Sequence, residues 1–161
     1  MQRCARWYMG VALLLVIGGC GFHLQGSDAM PRSLASVRLE ALDTQSDFFH
    51  GLRAALLSSG TRLDDGLAGA ATIHILEDTT AERVLTVSAN NIPTAFELSY
   101  RVRVAVEAQG HELMAPEEHT LRREYSFDER TLLAKERERE LLLQALADDL
   151  AALLMRRFAS L

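Results

Sequence analysis

Cysteine is almost missing from this 161-residue chain: Cys4 and Cys20 are the only two, and none follows them. The body therefore has no thiol for a disulfide, a thiolate metal site or a cysteine nucleophile. Lysine is rarer still, with Lys135 alone among 17 basic residues. No apolar run reaches the ~20 residues of a membrane-spanning helix. There is no G-x-S-x-G elbow for a serine nucleophile. His111-Glu112 begins like a zinc-protease helix motif, but the next histidine is His119, beyond Pro116, too far for one helical turn. The other histidines, His23, His50 and His74, are scattered. Asp64-Asp65, Glu117-Glu118 and Asp148-Asp149 are adjacent carboxylates, which diverge on a strand or helix rather than forming an acid/base pair. No enzyme, cofactor or metal is expected. The net charge of −5 also disfavours nucleic acid as a partner.

What is present at the start is an ordered pattern. Arg3 and Arg6 precede an apolar stretch from Trp7 to Ile17, followed by Gly18-Gly19-Cys20. Charge, short apolar core, small residues and cysteine in that order resemble a bacterial lipoprotein signal. Residues 1–19 are then expected to be removed and Cys20 to become the acylated N-terminus. Gly21, in place of an aspartate that would resemble an inner-membrane retention signal, favours the outer membrane, with the body on the periplasmic side. Three acyl chains exceed the roughly two signals needed for stable anchoring. The mature chain would keep 142 residues, one domain's worth, with 15 basic against 22 acidic residues, a charge of −7. An anionic ligand must then be met by a local cation cluster.

Residues 20–35, with Gly21, Gly26 and Pro31, read as the lipidated tether, and residues 36–161 as a single domain. Val37, Leu39 and Ala41 alternate with Arg38 and Glu40, the pattern of a half-buried strand. Ser46 offers an N-cap to a helix carrying Phe49, Leu52 and Leu56, which Gly60 closes. Thr72 to Asp78 and Glu82 to Ser88 are β-rich and fit either one bent strand or a hairpin, ended by Asn90-Asn91-Ile92-Pro93. From Phe96 to Val106 the even positions are apolar, while Glu97, Ser99, Arg101 and Arg103 are polar, so one face is core and the other wet. Gln109 to Glu118, with Gly110 and Pro116, reads as a loop before a strand containing Leu121, Arg123, Tyr125 and Phe127. A long helix from Arg130 to Phe158 carries Leu143, Leu146, Leu150 and Leu153 as its packing stripe. The predicted fold is α+β: two helices packed on one face of a mixed, mostly antiparallel sheet of about four strands.

Arg101 and Arg103 share a strand face, and Arg122 joins them if the following hairpin has ordinary register. On spacing alone these arginines read first as a salt ladder with Glu97, Glu107 and Glu124. Lys135 to Glu140 alternates in sign, an exposed helix start held by pairs such as Glu136 with Arg139.

Cys20-Gly21-Phe22-His23-Leu24 with Gly26, the strand-helix-strand body, Thr94-Ala95 leading into the alternating strand, and Leu133-Ala134-Lys135 before the last helix together resemble the LptE lipopolysaccharide-assembly lipoproteins. The resemblance implies a partner rather than a reaction: a plug inside the outer-membrane barrel LptD that helps the barrel assemble and binds lipopolysaccharide. It implies Lys135 as the first phosphate-contact candidate. Arg101, Arg103 and Arg122 follow from the shared-face argument. The alternative is a scaffold or pilot lipoprotein of another outer-membrane barrel machine with a purely protein-binding role.

Overall fold

The computed structural model describes residues 30–63, 70–126 and 132–161. Cys20 and the signal pattern lie outside the described residues, as does Phe127. The elements are β1 (Ser36–Ala41), α1 (Asp47–Ser58), β2 (Arg62–Leu63), β3 (Ala71–Val87), β4 (Pro93–Ala108), β5 (His111–Ser126) and α2 (Leu132–Phe158). They form a mixed sheet of order β2-β1-β3-β4-β5. β1 runs parallel to β2 and β3, whereas β3, β4 and β5 are antiparallel. The α+β expectation holds, with five strands instead of about four. The extra strand, β2, has two residues, too few to show any alternation. The 3-10 turn Arg32–Leu34 buries Leu34 completely, so this part of the segment read as tether packs into the body.

β3 is one strand of 17 residues rather than a hairpin. Its middle, Asp78-Thr79-Thr80-Ala81-Glu82, has no glycine, proline or asparagine and pairs continuously with Val102 to Leu98. The bend falls at irregularities after Ile75 and Val84, where an extra residue increases local twist.

The expected loop from Gln109 to Glu118 is mostly strand. The turn is Gln109-Gly110 alone, with φ of 53° and 75°, the left-handed pair of a tight two-residue hairpin. Pro116 is accommodated because β5 is an edge strand and its pairing slips between Val104↔Glu117 and Val106↔Met114. A proline there sacrifices no ladder bond.

Both helices cover the face that carries Leu98, Tyr100, Val102, Val104 and Val106, all buried. Ser46 caps α1 by accepting a 3.0 Å hydrogen bond from the Phe49 amide. Gly60, at φ 85°, ends it as a left-handed residue should. The buried stripe of α1 is Phe48, Leu52 and Leu56; Phe49 is only half-buried, one position off the expected spacing. On α2 the core residues are Leu146, Ala147, Leu150, Ala151, Leu154 and Phe158. Leu154 replaces Leu153, and Leu143 sits at the margin. The two small alanines widen the stripe and let α2 meet α1 at Gly51, whose Cα side lies against Asp148 and Ala151. Among the described residues no helix is long and apolar enough to cross a membrane.

This arrangement has two ends. β1 and the segment before it lie beside Ala71, at the start of β3. The Ser88–Ile92 turn is at the other end of that strand, roughly 55 Å away for 17 residues at ~3.3 Å each.

Candidate functional site

The face of the sheet without helices carries the arginines that the alternation predicts. Register puts Arg101 opposite Thr79 and Thr120, Arg103 opposite Glu77 and Glu118, and Arg122 opposite Ser99. Arg101, Arg103 and Arg122 therefore do share one face, as the alternation requires. Each is about half-exposed. Each also has carboxylate company: Arg101 lies 3.6 Å from Glu118 and 3.9 Å from Glu77, Arg103 lies 3.9 Å from Glu77, and Arg122 lies 3.7 Å from Glu97. Glu97 is held more tightly by Arg83, at 2.8 Å.

A salt ladder is present and includes Glu97 as expected, but Glu77 and Glu118 stand where Glu107 and Glu124 were expected. Glu107 approaches His74 rather than an arginine, at 3.8 Å, and Glu124 stands directly across from Glu97. The reason is the bulge at Leu76. Ile75 pairs with Val104 on the covered face and Glu77 pairs with Arg103 on the open one, so residues two apart in sequence point to opposite sides. The result is an open polar face whose charges are interleaved rather than of one sign.

Lys135 belongs to the helix layer and is not brought together with the three arginines. It sits in the first turn of α2, has 17% of its side chain exposed, and donates to Glu138 at 2.6 Å. Arg137 pairs in the same i,i+3 way with Glu140 at 2.9 Å. Arg139 does not pair with Glu136 as expected. Its Nε instead donates across 2.7 Å to Glu82 on β3. That contact fixes the start of α2 over the half of the sheet far from β1, so Lys135 also lies at the far end.

The remaining polar contacts beneath the helices are structural. Arg157 forks onto Glu117 with bonds of 2.7 to 3.2 Å, and these bonds hold the Glu117 carboxyl below the usual carboxylate range. Arg123 reaches Asp149 at 2.8 Å. Tyr100 is buried, and its hydroxyl accepts from the Phe48 amide at 3.3 Å. Desolvation, then the neighbouring Asp78 carboxylate, pushes its phenol far above the ordinary value. Asp78 in turn accepts from the Ser46 hydroxyl, so the α1 cap, β3 and β4 form one network that adjacent residues in sequence do not reveal. Among the described residues, no three His, Cys, Asp or Glu side chains are arranged to hold a metal ion.

These features define a small α+β body with a helix-covered face and an open, charge-balanced face. Solved structures that it resembles include lipoproteins. Rare lipoprotein B from Shewanella oneidensis superposes with a TM-score of 0.69 at 26% identity, over 78% of this chain and 94% of that one. A lipoprotein B from Nitrosomonas europaea shares the fold, with a TM-score of 0.72 at 24% identity over 87% and 91% of the two chains.

Sequence comparison carries this further. The LptE family, described as lipopolysaccharide-assembly, matches residues 34–158; the chain belongs to that family. It is 29% identical over 158 residues to the LPS-assembly lipoprotein LptE of Yersinia enterocolitica, spanning 97% of this chain and 75% of that protein. The corresponding protein of Yersinia pestis is 28% identical over the same shares. These relatives are named as assembly lipoproteins, not as enzymes.

Proposed function

We propose that this protein is a lipid-anchored subunit of the outer-membrane lipopolysaccharide translocon, seated within the LptD barrel, which it helps to assemble, and binding lipopolysaccharide on its way to the cell surface. Cys20 carries the lipids and residues 1–19 are the removed signal.

The observation that carries the reading is the open sheet face, in a chain of this family. The interleaved pairs Arg83–Glu97, Arg122–Glu97 and Arg101–Glu118 keep that face hydrated and nearly neutral, which suits the polar, water-filled interior of a barrel. Lipopolysaccharide recognition is assigned to Lys135, supported by Arg101, Arg103 and Arg122 from the other face. Lys135 is a compact ammonium with three donors at the end remote from the anchor, and a phosphate that displaces Glu138 would take over its strongest contact.

The test is purification of the full-length chain from outer membranes under native conditions. Stoichiometric recovery of LptD with lipopolysaccharide supports the reading. Recovery of a different barrel machine, without the glycolipid, would replace it with the scaffold role.

A further inference from the structure

Beyond Ala41, β1 leaves the sheet and β3 goes on alone. The last β1–β3 pair is Ala41↔Ile75, while β3 continues to Val87 with β4 as its only strand neighbour among the described residues. One side of the backbone from Thr79 to Val87 thus has no ladder partner there.

Exposed apolar groups gather along the same line. Of the six large hydrophobic side chains exposed among the described residues, Val84 and Val87 lie on this stretch of β3, Leu76 lies just before it, and Leu42, 94% exposed, lies where β1 stops. Leu42 and Leu76 line one shallow cavity with Thr79. The opposite edge, β5, is blunted by Pro116 and a run of charges, as natural sheet edges usually are. The β3 edge from Thr79 to Val87 has no proline, and its two charges, Glu82 and Arg83, are already taken up by Arg139 and Glu97.

We propose that the free edge of β3 from Thr79 to Val87 is a docking strip, which takes an extended segment of the barrel partner as an added strand in line with β1. This rests on the barrel reading above and names the contact within it. Unpaired backbone N–H and C=O groups need a second backbone, which an acyl chain cannot supply. A second copy of this chain is a poorer fit, because self-pairing sets Glu77, Asp78 and Glu82 with one base, Arg83, against the same acidic set. The segment that fits is proline-free, apolar at alternate positions to cover Val84 and Val87, and basic rather than acidic.

The experiment uses the native complex with full-length chain. A photo-crosslinking amino acid is placed at Val84 or at Val87, with Leu57 on α1 as the control position. Both β3 positions should label one continuous segment of LptD. Independently, Leu76→Lys with Val84→Lys should lower recovered barrel by roughly tenfold, since charge on an edge opposes strand addition, with the far-UV circular dichroism of the chain unchanged. Should the lysine variant misfold, the crosslinks at single positions decide. A normal yield of complex with no label from either position overturns the strip alone. Label on a second copy of this chain overturns the assigned occupant. If the unaltered chain recovers no LptD at all, the barrel reading fails, and the strip falls with it.

Discussion

Arg139 and Glu82, 57 positions apart in sequence, meet at 2.7 Å, and this contact sets the long helix over the far half of β3. Burial pushes the nearby Tyr125 phenol upward, with Glu82 adding to the shift. Arg139→Ala should cost no more than about 1 kcal/mol overall, as for other largely exposed pairs. Its effect should be local: faster amide hydrogen exchange in the first turns of α2, and unchanged exchange around Leu150 and Leu154. Uniform loss of protection along α2 would contradict this anchoring role.

The network of Ser46, Asp78 and Tyr100 makes a sharper demand. Tyr100→Phe removes the hydroxyl that faces the Phe48 amide and Asp78, leaving polar groups unsatisfied, and should cost about 1–3 kcal/mol in urea unfolding. Because the folded phenol is raised, the unfolded chain loses this proton first as pH rises past about 10. Stability should therefore fall in that alkaline range for the unaltered protein, and less steeply for Tyr100→Phe.

Acid acts through the opposite sign at Glu117. Its carboxyl is depressed by the Arg157 fork, so the stabilisation is present above the ordinary glutamate range near 4.3 and is lost as pH falls through the lower folded value. Unfolding measured between neutral and acid pH should show a shallower decline in Glu117→Gln than in the unaltered protein. Identical slopes would mean that the fork does not contribute.

The two faces of β4 can be told apart by one pair of substitutions. Val104 is fully buried opposite Ile75 and Glu117, so Val104→Asp places a charge in the core beside another carboxylate and should unfold the domain, at a cost of several kcal/mol. Arg103→Ser on the open face should stay within about 0.5 kcal/mol. Thermal unfolding compares them directly.

Lys135 offers a test with two directions. Its partner Glu138 competes with any phosphate, so Glu138→Gln should strengthen lipopolysaccharide binding, whereas Lys135→Gln combined with Arg101→Gln should weaken it. The weakened variant should also respond less to added salt, because screening acts on the charges removed. Titrations at low and high salt read both effects.

The sequence made the faces of Phe96 to Val106, the Ser46 cap and the Gly60 stop legible, because each depends on residues within a few positions of one another. What it hid depends on irregular pairing. Pro116 looked like a loop residue until an edge strand with a register slip accommodated it. The bulge at Leu76 reverses facing between Ile75 and Glu77, so the acids that meet Arg101 and Arg103 could not be read from alternation. Helix stripes were displaced by one residue at Phe48 and Leu154, where neighbouring hydrophobics compete and only the facing element decides. At the candidate site, the shared face of Arg101, Arg103 and Arg122 was legible. The withdrawal of Lys135 onto Glu138, on the other layer, was not.

Depletion of the chain in its own cells tests whether a lipid-anchored protein delivers lipopolysaccharide to the cell surface. Newly made lipopolysaccharide is followed from the inner membrane to the surface, with rescue by the unaltered chain or by Cys20→Ala. Depletion should hold the glycolipid back, the unaltered chain should restore its arrival, and Cys20→Ala should persist as an unprocessed precursor without restoring it. Undiminished surface lipopolysaccharide in depleted cells would rule out this role.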